Sequence, residues 1–273
     1  MDTLDNVLEL ALTDPEKIWF ETAKEKRLEL KEIKRYHNYN PMFYRTDVYM
    51  HGIRVAMLIQ ELAIRIQRAF HFDLQKAILM ALIHDYPELI TGDISAGNKT
   101  KMSEEQLRVQ KESETKAAIA LAHLLPKQLG DHRYIDLLEE VSSKKFIEAK
   151  IVDLCDKLDA MGESFHEIFA GNIAFVTNVV NGFGKIKTPP EHYWEYFHKI
   201  SKLHPALAVL FPDHIPFLPI AKEDWKNLAQ GRKPHTVESL VHLAGHRAYD
   251  FWKLTLLKRD PERQLRLLTT KVE

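Results

Sequence analysis

A histidine and an aspartate stand side by side at the point where a buried helix is expected to end. His84 and Asp85 follow an unbroken apolar run at residues 77–83. A carboxylate in such surroundings is costly to bury unless it is paired or bound to a cation. The adjacent imidazole makes a divalent transition ion a suitable partner, because these ions accept mixed nitrogen and oxygen ligands. Single His-Asp pairs are common in proteins, so the neighbouring helices decide how this one is interpreted.

Two further predicted helices carry residues of matching type. His51 lies on an apolar stripe that follows the 3.6-residue period through Val48, Val55, Leu62 and Ile66. Asp153 and Asp156 lie on a third helix further along the chain. Alone, His51 would be typical of an ordinary core histidine. The order of a histidine, then a His-Asp pair, then an aspartate, each on its own helix, is the pattern of the HD domain.

The residues that follow the pair extend this pattern. The chain reads His-Asp-Tyr-Pro-Glu from His84 to Glu88, then Gly-Asp at Asp93, then a lysine at Lys99. Here the sequence resembles the HD-domain metal-dependent phosphohydrolases, and most of all the bacterial HD-domain 5′-deoxynucleotidases. Those proteins carry His-Asp-x-x-Glu followed by Gly-Asp and a lysine at similar spacing. The resemblance covers roughly residues 35–165 and implies an all-α, HD-domain helical core.

The resemblance implies one bound divalent metal ion, whose identity (Mn, Co, Ni, Fe, Zn or Mg) stays open. Its ligands would be His51, His84, Asp85 and Asp156. A bound metal lowers the pKa of a coordinated water toward neutrality and withdraws charge from a phosphoryl oxygen. Water would then attack phosphorus directly, so no protein nucleophile is needed and Cys155 has no evident role as one.

The resemblance also implies roles for five residues around the metal. Glu88 and Asp93 would act beside the attacking water, where a carboxylate can take a proton from water or give one to the leaving oxygen. Arg35 and Lys99 would hold the phosphate, the arginine through its planar fork. Tyr36 would lie near the sugar, where the family discriminates deoxyribose from ribose. The implied substrate is a small-molecule phosphate ester, a (deoxy)nucleoside 5′-monophosphate.

Helix geometry separates Asp153 from Asp156, since residues advance about 100° each around a helix. Asp153 falls between Lys150 and Lys157, at the spacing of surface ion pairs. Asp156 shares a strip with small apolar residues, which predicts close packing against another helix: Ala149, Val152 and Ala160. An aspartate in such a strip needs a partner. We therefore predict that Asp156, rather than Asp153, completes the metal site.

Helical periodicity dominates the chain, and caps and prolines set the break points. Asp47 and Asp73 are predicted N-caps, and Pro87 is predicted to end the second of these helices at Tyr86. The predicted helices cover residues 15–34, 47–70, 73–86, 103–125, 135–141 and 145–169, with about three more after residue 190. Gly- and Pro-containing segments break the chain at residues 181–190. We expect an HD-type core at residues 1–185 and a C-terminal helical extension at residues 186–273.

The composition is that of an ordinary globular protein and argues against several kinds of partner. The 273 residues carry a net charge of −1, without the basic excess that a nucleic-acid groove requires. The single cysteine, Cys155, allows no disulfide framework and is typical of a reducing compartment. No apolar stretch approaches the roughly 18 residues of a membrane span, and the acidic N-terminus lacks the basic start of a signal peptide. The sequence therefore predicts a cytoplasmic protein without a nucleic-acid or membrane partner, and a homodimer stays open.

Three alternatives share parts of this pattern. A hydrolase of nucleoside triphosphates or of a guanosine alarmone would use the same metal ligands. A di-iron oxygenase of the same fold needs extra histidines after the pair, and only His123 and His132 are placed to supply them. A non-catalytic binding module would keep the metal for stability alone.

Overall fold

The architecture is that of packed helices with two minimal strand pairs. The computed structural model describes residues 28–36, 46–69, 71–94, 99, 102–125, 127–169, 172, 179–180 and 186–187. The helices are α1 (Val48–Ala69), α2 (Leu74–Ile83), α3 (Glu88–Thr91), α4 (Glu104–Leu124), α5 (Tyr134–Ser143) and α6 (Ile147–Phe169). Antiparallel pairs join β1 (Gln128–Leu129) to β2 (His132–Arg133) and β3 (Val179–Val180) to β4 (Ile186–Lys187). The all-α prediction is confirmed for these residues.

Three helix starts follow from capping side chains, of which the caps at Asp47 and Asp73 were predicted. Asp47 Oδ1 accepts a hydrogen bond from the Met50 amide, and Asp73 Oδ1 accepts one from the Lys76 amide, each at 2.9 Å. Ser103 forms a capping box at the start of α4, with its side chain and that of Gln106 exchanging bonds with the backbone. Each contact satisfies an amide that the first turn of a helix leaves without a partner.

Two predicted helix ends are wrong. Helix α2, predicted to reach Tyr86, ends at Ile83 because the ring of Pro87 conflicts with the carbonyl four residues earlier. The Tyr86 amide bonds instead to the Ile83 carbonyl at 3.0 Å, which tightens the chain into a turn before α3. The helix predicted at residues 15–34, which precedes α1, ends near Leu30.

The early end of that first helix has a tertiary cause. The backbone just before Tyr36 pairs with the segment that leads into α1. Val48 donates its amide to the Ile33 carbonyl, and Arg35 donates its amide to the Thr46 carbonyl, both at 3.1 Å. Tyr36 then has a φ of 53°, a left-handed conformation in which no helix continues. This pairing brings Arg35 and Tyr36 to the start of α1.

Helices α1, α2 and α6 pack against one another and form the centre of the core. The strip of small residues predicted on α6 is buried, with Ala149, Val152 and Ala160 at most 2% exposed. Gly52 lies where α1 crosses α2, and a Cβ atom there would meet the Ala81 carbonyl oxygen at 3.4 Å. A Cβ atom would thus already touch the backbone of α2, which shows that the two helices approach closely beside His51.

Several sequence predictions fall outside the described residues. These include most of the helix predicted from residue 15, and all the helices predicted after residue 190. The boundary proposed near residue 185 is flanked only by the short β3–β4 pair among described residues. Among the helices that the structure does describe, none is both long enough and apolar enough to cross a membrane.

Candidate metal centre

Four side chains from three helices converge at the junction of α1, α2 and α6. His51 comes from the first turns of α1, His84 caps the C-terminus of α2, and Asp156 lies midway along α6. Asp85 follows His84 in the turn. One ligand atom each of His51, His84 and Asp156 lies within 4.8 Å of the others. The predicted ligands are therefore neighbours in space although they span more than 100 residues of sequence.

The distances in this cluster suit a divalent ion. His51 Nε2 lies 3.1 Å from Asp156 Oδ1 and 3.6 Å from Asp85 Oδ2. His84 Nε2 lies 3.1 Å from the same Asp85 oxygen. For bonds of about 2.0–2.1 Å, neighbouring ligand atoms around an octahedral or tetrahedral ion lie roughly 2.8–3.4 Å apart. Two of these three distances fall in that range and the third, at 3.6 Å, lies just above it, so the side chains are close to the spacing of ligands of one metal ion.

The histidines also present the right atoms. His84 Nδ1 lies 2.7 Å from the Ala81 carbonyl oxygen, which can only accept, so this nitrogen carries a proton. When the ring is neutral, the lone pair is then on His84 Nε2, and a metal bound there would replace the proton that this atom otherwise carries. That atom is buried and lies 3.1 Å from Asp85 Oδ2, but the geometry of this contact is poor for a hydrogen bond. A buried lone pair that faces two carboxylates is well suited to a cation.

Electrostatics at the cluster favour a positive charge. Burial alone would lower the pKa of His84, but the Asp85 and Asp156 carboxylates outweigh it and raise that pKa to about 9. Burial likewise opposes ionisation of Asp85, whereas His84 and His51 bring its pKa down to about 2. The pKa of Asp156 is held well below its usual range by Lys157 and the two histidines, against the effect of burial. The site therefore offers two ionised carboxylates to whatever cation occupies it.

A cleft opens beside this cluster and collects the other residues that the sequence singled out. Its lining includes every predicted catalytic and substrate-binding residue: Arg35, Tyr36, Glu88, Asp93 and Lys99. Burial and the charges of Asp85 and Asp93 raise the pKa of Glu88 well above its usual range. Lys99 is partly exposed and lies 3.2 Å from Glu114 of α4. Carboxylates and cations thus face one small volume next to the metal ligands.

Arg35 and Tyr36 are fixed by contacts with α6. Arg35 Nη1 donates to Glu163 Oε2 at 2.9 Å, and the guanidinium lies 5.3 Å from the centre of the Tyr36 ring. The Tyr36 hydroxyl donates to the Ala160 carbonyl oxygen at 2.9 Å. Both side chains are therefore held in place at the wall of the cleft.

A second layer of polar residues behind the cluster was missed by sequence reasoning. It consists of four buried or partly buried side chains: Thr46, Arg54, Asp159 and Glu163. The spacing of acidic residues in the sequence gives one indication of this layer. Asp156, Asp159 and Glu163 follow one another at three and four residues, which places them on one face of a helix. This spacing groups Asp159 with Asp156 and leaves Asp153 on another face of the helix.

Asp153 is turned away from the cluster and pairs with Lys144, which precedes α6. Neither of the partners predicted for it, Lys150 or Lys157, holds it, and Lys157 contacts Asp156 instead. His123 is exposed on α4, and His132 lies 3.9 Å from Asp73 on a different surface. Neither histidine joins the cluster, so the two histidines that the di-iron alternative would need are not at this site.

Solved structures with this fold define its class. The chain superposes on an HD-domain phosphohydrolase from Listeria innocua with a TM-score of 0.55 and 20% identity, over 85% of this chain and 98% of that one. It superposes on the PH0347 protein of Pyrococcus horikoshii with a TM-score of 0.52 and 20% identity, over 77% and 99%. The fold is that of the HD domain.

Sequence comparison narrows the class to a family. The family described as 5′-deoxynucleotidase YfbR-like matches residues 26–203, more than half of the chain. The chain belongs to this YfbR-like 5′-deoxynucleotidase family, as its motifs predicted. 5′-Deoxynucleotidases of Yersinia pestis and Yersinia pseudotuberculosis are each 32% identical to it over 135 residues, or 48% of this chain. That match spans 66% of the length of these relatives, just under two thirds.

Proposed function

We propose that this protein is a divalent-metal-dependent phosphohydrolase that removes phosphate from nucleoside 5′-monophosphates and prefers deoxyribonucleotides. The observation that carries the proposal is the cluster of potential metal ligands at the junction of α1, α2 and α6. This cluster opens onto a cleft lined by both carboxylates and cations. Membership of a 5′-deoxynucleotidase family supports the choice of substrate class.

The metal would be held by His51, His84, Asp85 and Asp156. These ligands offer two nitrogens and two carboxylates, a set that Mn²⁺, Co²⁺, Ni²⁺, Fe²⁺ and Zn²⁺ all accept and that Mg²⁺ accepts less readily. When bound, such an ion activates a water molecule and withdraws charge from a phosphoryl oxygen. The protein's own contribution is to fix four ligands on rigid helices.

Two carboxylates divide the proton transfers between them. Glu88, whose pKa is raised by burial and by the neighbouring charges of Asp85 and Asp93, keeps its proton more readily than an ordinary glutamate. It is therefore suited to giving a proton to the departing 5′ oxygen of the nucleoside. Asp93, which lines the same cleft, would take the proton of the attacking water.

Arg35 and Lys99 would bind the phosphate, and Tyr36 would contact the sugar. Arg35 is nearly buried, with its side chain 13% exposed, whereas Lys99 reaches in from solvent. The Tyr36 ring cannot swing away readily, since its hydroxyl is bonded to the Ala160 carbonyl and its backbone is left-handed. A fixed ring at the sugar leaves little space for a 2′-hydroxyl, which is the physical basis of the proposed deoxyribose preference.

The proposal is tested by phosphate release from chelator-stripped protein to which Mn²⁺, Co²⁺, Ni²⁺, Zn²⁺ or Mg²⁺ is returned. Matched pairs of deoxyribo- and ribonucleoside 5′-monophosphates are the substrates, and we expect release with the deoxy member favoured. Equal rates within each pair would remove the role given to Tyr36. Release of pyrophosphate or triphosphate from longer nucleotides, in preference to phosphate, would favour the triphosphate or alarmone hydrolase. Metal binding with no turnover on any of these would favour a binding module.

A further inference from the structure

We propose that Asp159 is a positioning residue, which holds His51 in the one tautomer that can bind the metal, and that Arg54 fixes the Asp159 carboxylate for this task. The inference rests on the proposed function, since it requires His51 to be a metal ligand. Neither Asp159 nor Arg54 was suggested by the sequence motifs.

His51 Nδ1 has two neighbours that require opposite protonation states of this atom. Its Nδ1 atom lies 2.7 Å from Asp159 Oδ2 and 2.9 Å from Arg35 Nη1. The arginine can only donate and the ionised carboxylate can only accept, so a neutral ring satisfies one of these contacts and not both. Because Nε2 faces the cluster, its lone pair is available to a metal only when Nδ1 carries the proton. Asp159 selects that tautomer, and Arg35 would select the wrong one.

The surroundings of Asp159 explain why His51 Nδ1 donates to this carboxylate and does not accept from Arg35. Arg54 donates from Nε to Asp159 Oδ1 and from Nη2 to Asp159 Oδ2, each at 2.8 Å. This two-pronged contact fixes the plane of the carboxylate and points Oδ2 at the imidazole. Asp159 is 0% exposed, so water does not loosen the arrangement.

Glu163 completes the group by pairing with both arginines, and Arg35 stays within 2.9 Å of His51. It accepts from Arg35 at 2.9 Å and from Arg54 at 3.1 Å, while Thr46 donates to its other oxygen. Two arginines thus face two buried carboxylates, and the group is neutral as a whole. No contact joins Glu163 to His51 in the described structure, which makes Glu163 the matched control for Asp159.

The experiment measures metal affinity of chelator-stripped protein by competition for Zn²⁺ with a chromophoric chelator. Asp159→Asn keeps the size of the side chain, but its amide can donate to Nδ1 and favour the tautomer with Nε2 protonated. Glu163→Gln removes the same charge from the same buried group. Outer-shell partners of metal-binding histidines are typically worth about 10–100-fold in affinity. We expect Asp159→Asn to lose affinity in that range, and Glu163→Gln to stay within about threefold of wild type.

A spectroscopic readout separates positioning from mere structural support. In the Zn²⁺-loaded protein with ¹⁵N-labelled histidine, the His51 Nδ1 proton should give a slowly exchanging signal in wild type and in Glu163→Gln. That signal should be missing in Asp159→Asn. If that variant does not fold, the charge-balanced double variant Arg54→Gln/Asp159→Asn leaves Arg35 paired with Glu163, and it should show the same loss of affinity.

Two results would overturn the inference while leaving the proposed function in place. One is an equal loss of affinity in Asp159→Asn and Glu163→Gln, and the other is wild-type affinity in Asp159→Asn or in the double variant. A wild-type protein that binds no divalent ion would overturn the proposed function itself, and this inference with it.

Discussion

Replacing Arg54 by methionine should destabilise the protein far more than replacing an arginine on its surface. Arg54 bonds both oxygens of Asp159 at 2.8 Å and Glu163 at 3.1 Å. These carboxylates are 0% and 1% exposed. Methionine keeps the apolar stem but leaves the two carboxylates with Arg35 as the one remaining arginine of this group. Removing one partner of a buried ion pair costs about 3–5 kcal/mol, because the other charge stays buried without compensation.

The assay is urea unfolding of chelator-treated protein at neutral pH, which yields the free energy of unfolding. Arg108→Met is the matched control, since Arg108 bonds Glu105 and Glu112 on an exposed face of α4. A surface pair of this kind contributes about 0–1 kcal/mol. A loss for Arg54→Met no larger than that for Arg108→Met would refute the reasoning.

The pH dependence of the same variant gives a second check. Burial alone would raise the pKa of Asp159, but Arg54 and His51 hold it well below its usual range. A lowered folded-state pKa contributes stability above the unfolded-state value of about 4, and this contribution is lost as the pH falls through the folded-state value. Without Arg54 the folded-state pKa of Asp159 rises toward its usual value, so the stability difference between wild type and variant should shrink as the pH falls below about 4. A constant difference would show that lost packing, not charge, is responsible.

Three further outcomes are expected. Asp156→Ala should lose the metal and Asp153→Ala should keep it, as measured by bound-metal analysis, and the reverse result would reassign the ligand. Glu88→Ala and Asp93→Ala should retain the metal but lose roughly 10²–10⁴-fold in kcat, and metal loss in either would identify a ligand or structural carboxylate instead. Cys155 should not react with a disulfide reagent in the folded protein and should react fully in urea. The reason is that burial and the charges of Asp156 and Asp159 raise the pKa of its thiol. Rapid labelling of the folded protein would contradict its burial.

Helix starts were predictable from sequence because their causes are local. Asp47, Asp73 and Ser103 each cap a helix through an amide only three residues away. Helix ends were less predictable. The helix that precedes α1 stops early because Ile33 and Arg35 pair with Val48 and Thr46 further along the chain, and no local pattern predicts such a pairing. The effect of Pro87 was foreseen, but it reaches back to Ile83 and not only to its neighbour.

The same distinction applies to the site. His51, His84, Asp85 and Asp156 could be selected because the metal motif fixes their types and order along the chain. Arg54 and Asp159 could not be selected in this way, since they are 105 residues apart and each looks ordinary until the two helices are docked. The motif thus predicted the residues that face the cleft, whereas those that hold them became visible only in three dimensions.

The cluster draws its ligands from α1, from the end of α2 and from α6, and this affects the free energy of unfolding. An ion bound there would act as a cross-link between three segments that are distant along the chain. An unfolded chain offers no comparable site, so the ion would bind the native state alone and shift unfolding by mass action, by about 2.7 kcal/mol at a hundredfold excess over Kd. Unfolding measured at increasing concentrations of the ion would then show how strongly this cross-link holds α1, α2 and α6 together.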